Sequence, residues 1–194
     1  MDYFLKEYKQ KCKQEFGQYG FKAYRNNHCR VVHDVFQSFC LHRSRYGTDA
    51  TVEFCVLPLS QEYKIDKSTC GAMHLKQFEN SGQWFLYRAN DEISMNTCIN
   101  QIVFYMHKYL MPFFERSTTC QSAYEALKIF DKDNMLFYNE YPKLIMALSN
   151  QEYTLAEAHM KKIIAQSKMA YETNLKAFGT NVESEYIKKR NLNL

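Results

Sequence analysis

Proline and glycine are scarce in this chain. Three prolines and six glycines among 194 residues leave no material for long flexible linkers. The glycines are isolated, so no P-loop or dinucleotide fingerprint can be drawn through them, and no G-x-S-x-G elbow occurs. No apolar run approaches the roughly 18 residues of a membrane span. No Cys-x-x-Cys pair is present. Charge of one sign is not concentrated either. Lys and Arg number nine against six acids over residues 1–60, six against six over 61–118, and ten against nine over 119–194. A dedicated nucleic-acid binder gathers its basic residues on one face, and a formal net charge of +4 spread this way does not announce one.

Aromatic residues are abundant, with fifteen Tyr, fourteen Phe and one Trp. Apolar residues make up 46% and charged residues 24%, the composition of a folded domain with a core of its own. Seven cysteines are an odd number, scattered through apolar patterns. The N-terminus, "MDYFLKEYKQK", carries charges where a signal peptide has its apolar segment. A soluble cytoplasmic protein with reduced, mostly buried thiols is the expectation.

Two periodicities divide the chain. Leu5, Tyr8, Cys12 and Phe16 fall at helical spacing and predict an amphipathic helix over 2–16, ended by Gly17 and Gly20. "DVFQSFCLHR" and "ATVEFCVLPL" then alternate with period 2. Val35, Gln37, Phe39 and Leu41 share one face, and Phe36, Ser38, Cys40 and His42 the other. This predicts antiparallel strands with one covered and one more open face, joined by "SRYGTD" with Gly47 in the turn. "GAMHLKQF" and "QWFLYRA" read as a second hairpin. The sheet is expected to have four or five strands.

From about Asp91 the period becomes 3.6. A helix over 91–114 carries Ile99, Ile102, Val103, Met106, Leu110 and Phe113, and Pro112 is expected to bend or end it. Thr118 with Gln121, and Thr154 with Glu157, read as capping boxes. A helix at about 137–149 is expected to hold Pro142 in its first turn or to start there. The last helix is expected to bury Ala156, Met160, Ile163, Tyr171 and Phe178. The fold class is therefore α+β: one domain over 1–178, its sheet-containing part at about 1–116 and a helical extension at about 117–178. A polar tail follows over 179–194.

Candidate chemistry is thin. Cys40 and His42 share a strand face, but their Cα atoms stand roughly 6.5–7 Å apart with parallel side chains, which does not make a nucleophile and its base. Cys70 and His74 lack a second pair of zinc ligands. A calcium loop begun at Asp131 would need a ligand, Gly and Glu where Met135, Leu136 and Pro142 stand. No catalytic residue, metal site or cofactor is assigned. The open face remains, with Ser38, Cys40 and His42 beside Thr51, Glu53 and Cys55. His74 and Lys76 join from the next hairpin, and Arg43 and Arg45 sit at the rim. Ser38, His42, Arg43, Arg45, Glu53 and His74 are the candidate binding residues.

The order "VFQSFCLHRSRYG", "ATVEFCVLPL", "HLKQF…QWFLYRAND" and a helix ending "YLMPFFE", after an N-terminal helix and the Gly20-Phe21 turn, resembles bacterial domain-of-unknown-function family 4304 over about residues 3–120. At the turn, His42, Arg43, Arg45 and Tyr46 stand where that family has Gln, Lys, Lys and Trp. The resemblance implies the fold and no activity. The expectation is a non-enzymatic binding or protein-interaction module of the bacterial cytoplasm, with toxin neutralisation or another conflict system as one version. The alternatives are an enzyme using His42, Glu53 and His74, and a weak nucleic-acid binder using Lys6, Lys9, Lys13, Arg43 and Arg45. Another protein is the expected partner, nucleic acid is disfavoured, and no membrane is involved.

Overall fold

Every fourth residue of the first helix is buried: Phe4, Tyr8, Cys12 and Phe16 line the inner side of α1 (Tyr3–Phe16). Phe4 takes the place expected for Leu5, because a strict i, i+4 row carries the aromatic rings onto one stripe. The Asp2 carboxylate caps the helix by accepting from the Phe4 backbone N–H at 3.0 Å. Gly20, at φ 85°, makes the left-handed turn that lets the chain leave. The computed structural model describes residues 2–59, 73–75, 78, 84–130 and 136–178.

The strands run β1 (Lys22–Tyr24), β2 (Asn27–Val32), β3 (Val35–Arg43), β4 (Asp49–Pro58), β5 (Met73–His74) and β6 (Phe85–Leu86). All pairings are antiparallel, in the order β1-β2-β3-β4-β5. Among the described residues, β5 and β6 do not pair with each other as the expected hairpin would. Both short strands pair with β4, β5 against Glu53 and Phe54 and β6 against Asp49 and Ala50. Two-residue strands carry too little alternation to specify a partner, and the long β4 offers free backbone along its whole edge.

Helices cover one face of the sheet. After α2 (Glu92–Tyr105) the chain makes a π-helical turn at Met106–Leu110 and enters α3 (Met111–Arg116). Pro112 therefore neither ends nor sharply interrupts the helix. It sits in the first turn of α3, where its missing N–H is harmless, and the π turn before it absorbs the change of pairing. α4 (Cys120–Leu127) is capped by Thr119 with Ser122, one residue later than Thr118 and Gln121. α5 (Leu136–Ser149) carries Pro142 at its seventh position, beyond the first turn where it was expected. α6 (Tyr153–Phe178) begins before Thr154, so Thr154 and Glu157 lie inside it. Among the described residues, no helix is long and apolar enough to cross a membrane.

The core is aromatic. Phe16, Phe21, Phe39, Phe54, Phe113 and Phe114 form one contact series with ring centroids 5.0–6.1 Å apart, in the tilted and edge-on arrangements that rings prefer. One polar side chain is built into it. Fully buried Gln37 donates to the Phe114 and Ser117 carbonyls, both at 2.7 Å, and accepts from Arg30 Nε at 2.7 Å. It donates to two carbonyls at the C-terminal end of α3, of which that of Phe114 also accepts from the Ser117 backbone N–H at 3.1 Å. Gln37→Leu is expected to lower the unfolding free energy by about 2 kcal/mol, since it removes the donor to the Ser117 carbonyl and the acceptor of a guanidinium N–H. Urea denaturation measures this, and a loss under about 1 kcal/mol would contradict the assignment.

Candidate functional site at the open end of the sheet

The far face of the sheet is less open than the alternation predicts. Phe36, Cys55 and Leu57 form a second, smaller core there. Ser38 is fully buried, with its hydroxyl 3.0 Å from Cys55 Sγ. Ser38 is thereby removed from the candidate binding residues: its polar atom is spent on a buried contact beside apolar neighbours. Thr51 is fully buried as well.

Along β3 and β4 the face opens toward the β3–β4 turn. The register places Cys40 opposite Glu53, His42 opposite Thr51, and Glu53 opposite His74 on β5. This brings His42, Glu53 and His74 together, as the sequence suggested. His42 Nδ1 bonds to Glu53 Oε1, and His74 Nε2 lies 3.9 Å from the same oxygen. Cys40 Sγ is 3.9 Å from Glu53 Oε2. Trp84, one residue before β6, packs edge-on to His42 at 5.1 Å between centroids and tilted to His74 at 6.3 Å. The side chains of His42 and Glu53 are 39% and 22% exposed, so solvent reaches both. Leu86, two residues beyond Trp84, and Tyr46 in the turn are among the most exposed large hydrophobics.

Glu53 fills the space between the imidazoles. Among the described residues, no group of three or more His, Cys, Asp and Glu side chains is arranged to hold a metal ion. Cys70 and Lys76, and the acids at Asp131 and Asp133, lie outside the described residues.

The two arginines stand apart from this cluster. Arg43 alternates to the helix-covered side and pairs with the Asp2 carboxylate that caps α1. That hydrogen bond holds Asp2 below its ordinary range. Arg43 thus ties the N-terminus to β3, with its side chain still 34% exposed. Arg45 lies over the Tyr46 ring at 4.8 Å and is exposed. Of the basic residues named for nucleic acid, Lys9 on α1 donates to Asn26 Oδ1 at 2.9 Å and Arg43 is paired with Asp2.

Four of the six described cysteines are buried and none is disulfide-bonded. Burial pushes the thiols of Cys12, Cys98 and Cys120 up to about 12, so all three are protonated and inert at neutral pH.

The structure also contains a polar cluster that the sequence reading did not single out. Glu140 on α5 and His159 on α6 are buried, with Glu140 Oε2 2.6 Å from His159 Nδ1. His159 Nε2 is 2.9 Å from the hydroxyl of Tyr124 on α4. Lys162 Nζ approaches Glu140 Oε1 at 3.6 Å, and Lys143 is buried one turn along α5 from Glu140. Met160, expected inside, is exposed, because the His159 side of α6 turns inward instead. The readable signal is a carboxylate and an ammonium three apart on α5, in register with Leu144 and Ala147 on its buried face.

No family model matches the chain, and no curated protein or solved structure matches it.

Proposed function

We propose that the protein is a non-enzymatic binding module of the bacterial cytoplasm, and that its recognition surface is the open end of the sheet. One observation carries this. Where the cover over the far face stops, a carboxylate, two imidazoles and the chain's single indole converge from β3, β4, β5 and the approach to β6. Exposed Leu86 and Tyr46 flank them. Large apolar and aromatic side chains around a partly desolvated charge are the composition of protein recognition sites. The partner is another protein, and a role in a conflict system is one form of this reading. The resemblance to family 4304 belongs to the same proposal and adds no activity.

A second reading rests on a different feature. His42 is held through Nδ1 by Glu53, and its Nε2 has no hydrogen-bond partner among the described residues. An imidazole oriented by a carboxylate with its other nitrogen facing solvent is suited to proton transfer, so an acid–base enzyme is the alternative.

Affinity capture from the native lysate separates the two. The native protein is compared with a His42→Ala, Trp84→Ala variant of matched thermal stability. A stoichiometric partner retained by the native protein and lost by the variant supports the binding reading. Turnover of a defined small molecule that His42→Ala abolishes would replace it with the second.

A further inference from the structure

A second candidate site lies on the same face of the sheet at its other edge. A groove of about 470 Å³ is lined by Lys22, Tyr24, Cys29, Arg30, Val31 and Phe36, with Gly20 and Ala23 at its margin. The register explains why it forms. Lys22 stands opposite Cys29, Cys29 opposite Ser38, and Val31 opposite Phe36, so these side chains share one face. β1 begins only at Lys22, opposite Cys29, so among the described residues Arg30, Val31 and Val32 have no strand partner on that side, and the apolar strip of Cys29, Val31 and Phe36 borders the groove there. Phe36 is six residues along β3 from His42, roughly 20 Å at strand rise, so the groove is separate from the Glu53 cluster.

The segment that lines it is basic, and Glu115 interacts electrostatically with its Arg30. Residues 17–33 contain Lys22, Arg25 and Arg30 and no Asp or Glu. Arg30 is occupied: Nε bonds to Gln37, Nη1 to the Tyr19 carbonyl at 2.8 Å, and the guanidinium lies 4.6 Å over the Phe21 ring. Arg25 leans over the Tyr24 ring at 5.5 Å. Lys22 is exposed and makes no ion pair among the described residues. An apolar floor with an uncommitted ammonium at its rim, in the volume range of small-molecule sites, selects for shape and charge together.

We propose that this groove binds a small amphipathic organic anion, with an aromatic or aliphatic body on Cys29, Val31 and Phe36 and an acidic head on Lys22. The site is independent of the recognition surface around Glu53. Val31 is 57% exposed, so the floor is accessible from solvent and tolerates substitution without opening the core.

The test is a fluorescence titration of the full chain with 8-anilinonaphthalene-1-sulfonate, an aromatic anion of this class, with laurate as competitor. The expected result is saturable single-site binding displaced by laurate. Val31→Glu, which sets a carboxylate on the floor, and Lys22→Glu, which reverses the rim charge, are each expected to weaken it about tenfold or more. Lys22→Arg retains the affinity, and Trp84→Ala leaves it unchanged, which separates this site from the one above. Non-saturable binding, or equal affinity in native protein, Val31→Glu and Lys22→Glu, overturns the proposal. So does a loss in Trp84→Ala that the groove variants do not share.

Discussion

Acidification from pH 7 to pH 4 is expected to cost the protein about 3 kcal/mol of stability through a single side chain, His28. His28 is buried against the Phe39 ring, nearly parallel at 5.0 Å, with Tyr8 edge-on at 6.3 Å. Among the described residues, neither ring nitrogen has a hydrogen-bond partner. Burial, with a lesser contribution from the Lys9 charge, lowers its pKa from 6.5 to about 4. Between those values the unfolded chain binds a proton that the folded chain refuses, so unfolding takes up a proton and stability falls with pH. The contribution is complete above pH 6.5 and is lost progressively as pH drops toward 4. His28→Phe keeps the stacked ring and removes the titration. Chemical denaturation of both proteins at several pH values isolates the effect: the native protein loses stability relative to the variant by about 3 kcal/mol over this range. A difference independent of pH contradicts it.

The second large effect concerns the buried chain from Tyr124 through His159 to Glu140. His159→Ala leaves a buried carboxylate without its 2.6 Å donor and a buried phenol without its partner. Removing one member of a buried charged pair costs about 3–5 kcal/mol, most of it the uncompensated charge left behind. Tyr124→Phe removes one neutral hydrogen bond and costs about 1 kcal/mol. Replacing both partners, His159→Leu with Glu140→Leu, is expected to cost less than the sum of the single changes by at least about 1 kcal/mol, because the sum counts their shared 2.6 Å bond twice. Equilibrium unfolding of the four proteins gives the coupling directly. Additivity within about 0.3 kcal/mol would mean that His159 and Glu140 are neighbours without being coupled. The arrangement ties α4, α5 and α6 at one point, and it specifies which side of α6 faces inward more sharply than its mixed apolar pattern does.

The parts of the fold that rest on a long repeating pattern were legible in the sequence. Nine residues of β3 and ten of β4 alternate cleanly, so the neighbours of Ser38, Cys40 and His42 across the ladder could be named, and the register places them there. The meeting of His42, Glu53 and His74 follows from the same alternation. What alternation cannot show is cover. Ser38 and Cys40 lie on one face of one strand, yet Ser38 is sealed and Cys40 is not. The ion pair of Arg43 was not legible for another reason: its partner, Asp2, is 41 residues away. The pairing of β5 and β6 rests on two residues each, and the cap of α4 on a choice between adjacent threonines. His159 is the clearest omission. A lone histidine among apolar helix positions reads as packing until Glu140 and Tyr124, on two other helices, are brought to its two nitrogens.

The central claim, that the open end of the sheet recognises a partner, is tested most directly by titrating the captured partner against Trp84→Ala and Glu53→Gln, each checked for unchanged thermal stability. Both changes are expected to weaken binding about tenfold or more, while Val31→Glu on the opposite edge leaves it intact. Native affinity in both Trp84→Ala and Glu53→Gln would show that this cluster is not the recognition surface.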